Sequence, residues 1–149
     1  MVDPLFKAYV LGLFSEYKIP PRHICFEITE SMAILNLQNT LDFIHHFRSL
    51  GCRFALDDFG SGFSSYGYLK NFPVDFVKID GNFVRDLLED KYDRAIVNSI
   101  HDVATAMGIQ TIAEFVENQD IMLELKRMGV NYAQGYGIAK PRPLADIQS

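Results

Sequence analysis

Residues 47–58, FRSLGCRFALDD, combine the end of an amphipathic helix, a glycine, an apolar strand and two adjacent carboxylates. The same order recurs in residues 103–114, VATAMGIQTIAE, and in residues 125–135, LKRMGVNYAQG. The glycines at the junctions are Gly51, Gly108 and Gly129. Glycine at this position commonly ends a helix in the left-handed conformation. The repeated helix–glycine–strand unit predicts parallel strands joined by helices, which is an α/β fold.

Five strands of this kind are predicted, and their cores are apolar on both faces, as in a parallel sheet covered by helices. They span residues 23–29, 53–57, 76–79, 111–113 and 131–134. A first helix is predicted over about residues 4–16, and Asn118 is a candidate N-cap of the last one. No linker or low-complexity segment interrupts the 149 residues, so a single domain is expected.

The composition excludes several classes of protein. With 48% hydrophobic and 22% charged residues the chain is expected to be globular. The net charge of −5 argues against binding a nucleic acid polymer, which needs clustered Lys and Arg. No apolar run approaches the ~18 residues of a membrane span, and no signal-peptide pattern is present. Cys25 and Cys52 form no CxxC pair, which fits a reducing cytoplasm.

Every predicted strand carries a carboxylate, an amine or an amide at or near its carboxyl end. These residues are Glu27, Glu30, Asp57, Asp58, Lys78, Asp80, Glu114, Glu117 and Gln134. The carboxyl ends of parallel strands meet at the edge where α/β proteins hold their active sites. The series therefore predicts an active site at this edge.

Four of these residues, Glu27, Asp57, Asp58 and Glu114, offer hard oxygen ligands that suit Mg²⁺ or Mn²⁺. Two such ions can share a carboxylate and activate water for phosphoryl chemistry. Their charge would also offset the repulsion between the adjacent aspartates. Neighbouring strand residues face opposite ways, so both aspartates reach one site only if the strand ends between them, a bend that nearby glycines would allow. Lys78 is placed to orient or deprotonate a metal-bound water, or to hold a phosphate oxygen.

Each residue also has a purely structural interpretation. Asp58 before a glycine suits a turn, Glu30 suits the start of a helix, and Lys78 suits a buried ion pair. Taken singly these interpretations are favoured, whereas five polar strand ends in series favour a functional site. The histidines, including His101, are interpreted as surface or packing residues.

Together the motifs resemble the EAL-domain family, bacterial phosphodiesterases that open cyclic di-GMP to linear pGpG. FEITES, residues 26–31, is similar to the family's E-[LIV]-T-E segment. Residues 55–80 resemble its DDFGTG loop and K-I-D strand. AEFVEN, residues 113–118, resembles A-E-G-V-E, and AQGYGIAKPRP, residues 133–143, resembles Q-G-Y followed by K-P. The match covers nearly the whole chain in consistent order.

The resemblance implies metal and catalytic roles for the strand-end residues. Glu27 and Asp57 would bind a first metal, and Asp57 would bridge to a second that Asp58 and Glu114 help to bind. The catalytic set would be Lys78 near the attacking water, Glu114, and Gln134 supporting the water shell.

The resemblance also implies roles around the metal site. Glu30 would anchor the loop after Asp58, residues 59–65, which the family links to homodimerisation and to coupling with a regulatory sensor domain. Asp80, Glu117 and Pro141 are further candidates for binding the nucleotide.

Some features of the family pattern are missing. The glutamate–alanine–leucine stretch and the asparagine that completes the first metal site do not occur. A complete barrel takes roughly 250 residues, so residues 1–149 are expected to be the C-terminal part of a single EAL domain, a partial (β/α)₈ TIM-type barrel with about five βα units. Ser61 replaces a threonine and keeps its hydroxyl. Phe115 replaces a glycine and adds bulk beside Glu114, which is expected to perturb the second metal.

The missing strands have two expected consequences. The first and last strands would have unpaired edges, so the chain is expected to dimerise, swap elements or stay loosely packed. The incomplete ligand set is expected to weaken metal binding and activity. Three hypotheses stay open: a cytoplasmic cyclic di-GMP phosphodiesterase, free or attached to a larger membrane protein; a non-catalytic module that binds cyclic di-GMP or a protein; and an unrelated α/β metabolic domain.

Overall fold

A computed structural model of the chain describes residues 4–60, 69–135 and 142–144. Pro141, Ser61 and most of the 59–65 loop lie outside these residues. The elements in chain order are α1 (Pro4–Tyr17), a short 3₁₀ turn (Pro21–His23), β1 (Cys25–Thr29), α2 (Glu30–Leu35), α3 (Leu37–Ser49), β2 (Arg53–Phe59), β3 (Phe76–Ile79), α4 (Gly81–Arg85), α5 (Lys91–Ala106), β4 (Gln110–Ala113), α6 (Gln119–Met128), β5 (Tyr132–Ala133) and β6 (Arg142–Pro143). The predicted α/β class is confirmed.

All described strands form one sheet in the order β1-β2-β3-β4-β5-β6. The first five are parallel, as predicted, and β6 is antiparallel to β5. The two-residue strand β6 was not predicted, because so short a segment shows no periodicity. It pairs the edge of β5 that was expected to stay free. Among the described strands, β1 pairs with β2 alone and keeps the unpaired edge that was expected.

Local chemistry explains where the helices end. The three predicted glycines, Gly51, Gly108 and Gly129, have φ of +104°, +76° and +91°, in the left-handed region that side chains disfavour. At the start of α6, the Asn118 side-chain oxygen accepts a hydrogen bond from the backbone N–H of Ile121 at 2.9 Å, which confirms the predicted N-cap.

Two local features next to β1 differ from the prediction. The strand β1 begins at Cys25 rather than residue 23, because the preceding residues form a 3₁₀ turn. The short helix α2 begins directly after β1, and the Thr29 hydroxyl accepts a hydrogen bond from the Met32 N–H at 3.3 Å. Six residues are too few for helical periodicity to be visible in the sequence.

The two faces of the sheet carry different residues. Phe26 of β1 stacks on Phe54 of β2 with ring centroids 5.2 Å apart, and both pack against Phe43 of α3. Since side chains alternate along a strand, Glu27 and Asp57 face the opposite side of the sheet. The helix-covered face is thus the core, and the other face carries the ionisable residues. Within the described ranges, no helix combines the length and the apolar character needed to cross a membrane.

Candidate active site

An irregularity in β2 brings two adjacent carboxylates to one place. The pairing of β2 with β3 shifts register between Leu56 and Phe59, and Asp58 between them has a left-handed φ of +54°. The Asp58 N–H donates to Asp57 Oδ1 at 2.9 Å. The bend therefore lies at Asp58 itself, although Gly60 just beyond also has a positive φ of +100°. Without this bend the two side chains would point to opposite faces.

Asp57, Asp58 and Glu114 form a carboxylate cluster. One oxygen from each residue lies within 4.8 Å of the other two. Glu114 follows β4, and its backbone N–H donates to the Ile79 carbonyl at 3.2 Å, which holds it beside β3. Residues far apart in sequence thus meet at the carboxyl ends of β2 and β4, as predicted.

Crowding of the cluster changes its protonation. Burial, a hydrogen bond with Asp57 and the Asp57 charge raise the pKa of Glu114 to about 8. Burial and the charges of Asp57 and Asp80 raise the pKa of Asp58. Within the described part of the chain, the buried Oε1 of Glu114 has no hydrogen-bond partner. The nearby Lys78 charge opposes both shifts without cancelling them, so Glu114 keeps its proton at neutral pH in the metal-free chain.

A divalent cation fits this cluster. The three carboxylates supply hard oxygen ligands that converge within a few ångströms, which suits Mg²⁺, Mn²⁺ or Ca²⁺. The buried Glu114 Oε1 also has no hydrogen-bond partner among the described residues, which leaves it available as a ligand. Asp57, Asp58 and Glu114 are thus the residues that could hold a metal.

Lys78 is a buried cation beside the cluster. It is only 3% exposed, and its Nζ donates to Glu27 Oε1 at 2.9 Å. Burial alone would lower the pKa of Lys78, but this hydrogen bond and the charges of Glu27, Asp57 and Glu114 raise it above its usual value. Lys78 is therefore a charged donor at neutral pH. This state favours holding an oxygen over deprotonating a water.

Glu27 is placed differently from the other predicted metal ligands. Its carboxylate is paired with Lys78 and is not part of the three-residue cluster. The charges of Glu27, Asp57 and Glu114 nevertheless all act on Lys78, so the acidic strand ends surround one ammonium group. The ion pair matches the structural interpretation of Lys78 made from the sequence.

The remaining predicted residues that the structure describes follow the strands β1, β3, β4 and β5. The buried Glu30 accepts a hydrogen bond from the Gly60 N–H at 3.3 Å, which ties α2 to the end of β2. The Gln134 Oε1 is buried and has no hydrogen-bond partner in the described ranges. Asp80 caps α4 by accepting from the Asn82 N–H at 3.0 Å. Glu117 is exposed after β4, and Pro141 lies outside the described residues.

Phe115 has a larger structural role at the site than the sequence indicated. It has a left-handed φ of +56° and packs on Gly81, the first residue of α4. The signal that pointed to this residue is the bulky side chain at a position where the resemblance expects glycine. Nothing in the sequence indicated that Gly81 would be the residue on which Phe115 packs.

The chain is similar in sequence to known proteins. Residues 1–141 match the model of the EAL domain. The cyclic di-GMP phosphodiesterase PdeB of Shewanella oneidensis is 57% identical over 129 residues, which are 87% of this chain and 15% of that protein. The chain thus spans a small part of this relative.

Solved structures agree with the sequence match. The PaMucR phosphodiesterase in complex with c-di-GMP superposes with a TM-score of 0.82 at 33% identity, covering 90% of this chain and 54% of that one. The manganese/cy-diGMP complex of Klebsiella pneumoniae BlrP1 gives 0.82 at 28% identity, covering 95% and 36%. These likenesses are consistent with the predicted partial barrel. The chain belongs to the EAL domain family.

Proposed function

We propose that this chain is the C-terminal part, residues 1–149, of a single EAL domain that hydrolyses cyclic di-GMP to linear pGpG in the cytoplasm. The observation that carries the proposal is the carboxylate cluster of Asp57, Asp58 and Glu114 beside the charged Lys78. A group that only binds a nucleotide does not need three mutually repelling acids. The names of the relatives support the same substrate.

The proposed cofactor is Mg²⁺ or Mn²⁺ in a two-metal site. Asp57, Asp58 and Glu114 would hold it, and Glu27 would join them after leaving its ion pair with Lys78. When bound, such ions lower the pKa of water and neutralise charge on the phosphate. The unpartnered oxygen of Glu114 supports this assignment.

The other residues act on the reacting groups. Hydrolysis adds a water oxygen to one phosphorus and breaks its bond to the ribose 3′ oxygen, which leaves with a proton. The Lys78 ammonium donates a hydrogen bond to an oxygen of the phosphate or of the water, and stabilises the charge that develops there. The Gln134 amide oxygen would accept a hydrogen bond from a water, and the lack of a described donor to this buried oxygen supports that role.

A non-catalytic module is the second candidate, because Glu27 is engaged with Lys78 rather than with the other acids. In that case the chain would bind cyclic di-GMP or a protein partner without turnover. In both cases the loop after Asp58 is proposed to form a homodimer contact and to receive the signal of a sensor domain. The hydrogen bond from the Gly60 N–H to Glu30 supports an anchored start of that loop.

One experiment separates the candidates. The purified chain is incubated with cyclic di-GMP and Mn²⁺, and pGpG is measured by chromatography for wild type, Asp57→Asn and the control Asp86→Asn, an exposed carboxylate after α4. Turnover lost in Asp57→Asn alone supports the phosphodiesterase. Calorimetric binding without turnover supports the module, and neither binding nor turnover overturns both proposals for this chain.

A further inference from the structure

Phe115 is a strained and exposed aromatic residue next to the carboxylate cluster. Its φ of +56° lies in the region that favours glycine, and its side chain is 52% exposed. Strain of this kind persists where the surrounding structure imposes it, and it concentrates at functional sites. Glu114, the preceding residue, belongs to the cluster. A bulky apolar side chain in this conformation therefore calls for a specific explanation.

The ring of Phe115 has a fixed position. A methyl group built on Gly81 would lie 1.9 Å from Phe115 Cδ2 and 2.6 Å from Phe115 Cβ, so the ring rests on the Gly81 backbone with no space between them. Packing against a backbone restricts the ring to one orientation. The remaining surface of the ring faces solvent, which explains why half of the side chain is accessible.

The ring lies at the carboxyl-end edge of the sheet, the edge that carries the carboxylate cluster. It bridges the segments that follow β3 and β4, since Gly81 comes directly after Asp80 and Phe115 directly after Glu114. The Asp80 charge acts on Asp58, and Glu114 belongs to the same carboxylate cluster as Asp58. The exposed ring thus belongs to the residue that follows one member of the cluster, and it packs on the residue that follows Asp80.

We propose that Phe115 binds a guanine base of the substrate by stacking. This inference rests on the proposed function and adds to it the residue that receives the base. A flat apolar ring with a free surface suits a purine, and each stacked base strengthens binding substantially. A phosphodiester held at the cluster carries its base only one sugar away. Because stacking tolerates every base, Phe115 would set affinity more than it selects guanine.

A purely structural role makes a different prediction. If Phe115 only covered Gly81, its removal would change stability and leave substrate affinity unchanged. Phe115→Gly separates the two roles, because glycine relieves the left-handed strain while it removes the ring. Stacking predicts that this variant keeps or gains thermal stability and loses affinity.

The test measures KM and kcat for cyclic di-GMP hydrolysis with Mn²⁺, together with the calorimetric Kd for cyclic di-GMP and the thermal midpoint. The variants are Phe115→Gly, Phe115→Leu and Phe115→Tyr, and the control is Tyr92→Leu, an aromatic residue of α5 that is 83% exposed. The Gly and Leu variants should raise KM and Kd roughly 5- to 100-fold with kcat within about twofold. The Tyr variant should restore wild-type values, and the Tyr92 control should not differ from wild type.

Two outcomes would overturn the assignment, and they are distinguishable. Equal KM and Kd in the wild type and in all three Phe115 variants would overturn the stacking role alone and leave the phosphodiesterase intact. Absence of both turnover and cyclic di-GMP binding in the wild-type chain would overturn the proposed function and, with it, this assignment. If the chain binds without turnover, Kd alone decides the stacking role.

Discussion

Replacing Glu114 by glutamine should stabilise the metal-free chain as the pH rises. The pKa of Glu114 is about 8 in the folded chain, against an ordinary value of 4.5. Between these pH values the folded state keeps a proton on Glu114 that the unfolded state has released. The contribution of the Glu114 carboxyl group to stability is therefore complete below about pH 4.5 and is lost as the pH rises to about 8. Glutamine has the shape of the protonated carboxyl group and does not titrate. The variant should therefore escape this loss.

The size of the effect follows from the proton count. From about pH 5.5 to 7.5 the folded state binds close to one proton more than the unfolded state. Each pH unit then lowers the free energy of unfolding of wild type by roughly 1.4 kcal/mol, which gives about 3 kcal/mol in total. Water at the exposed Asp58 screens part of the interaction, so we expect about 2 kcal/mol. The free energy of unfolding of Glu114→Gln should rise by this amount relative to wild type over that range.

Urea unfolding in EDTA, followed by circular dichroism at several pH values, measures this difference. Glu89→Gln, an exposed residue between α4 and α5, is the matched control and should follow the wild-type curve. Adding Mn²⁺ at neutral pH should stabilise the wild type more than Glu114→Gln, because a cation favours ionised carboxylates. If the free energies of unfolding of wild type and Glu114→Gln changed in parallel across the pH range, the raised pKa of Glu114 would be refuted.

Three further perturbations test other parts of the structure. Gly135→Ala would place a methyl group 2.2 Å from the Val116 carbonyl oxygen, so the backbone must shift, and thermal unfolding should show a loss of about 2 kcal/mol or more. Lys78→Met removes the buried partner of Glu27 and leaves the acids uncompensated. Urea unfolding in EDTA should show a loss of about 1–3 kcal/mol in the free energy of unfolding, which Mn²⁺ should partly restore. An unchanged unfolding midpoint would contradict the ion pair. Burial lowers the pKa of His101 below its usual 6.5. The stabilising contribution of the neutral imidazole is therefore present above about pH 6.5 and is lost as the pH falls below that value. Below about pH 6.5 the thermal midpoint of wild type should drop more steeply than that of His101→Asn.

Local chemistry along the chain was sufficient to predict the five parallel strands, the glycines that end the helices and the polar residues at the strand ends, whereas the short elements α2, α4 and β6 gave no readable pattern. Gly51 and Gly129 end helices because glycine adopts positive φ without a steric penalty, and this holds in any fold. The apolar strands and their polar ends identified the sheet edge and the acids Asp57 and Glu114. These signals depend on neighbours in sequence, which is why they are readable there.

Tertiary structure decided how these residues divide their roles. The grouping of Asp57, Asp58 and Glu114, with Glu27 paired instead to Lys78, depends on the register of strands that are separated by tens of residues and on a bend at Asp58. The packing of Phe115 on Gly81 likewise joins two segments that no local sequence pattern connects. Distances of a few ångströms between remote residues arise only when the sheet assembles, because strand pairing and packing set them together.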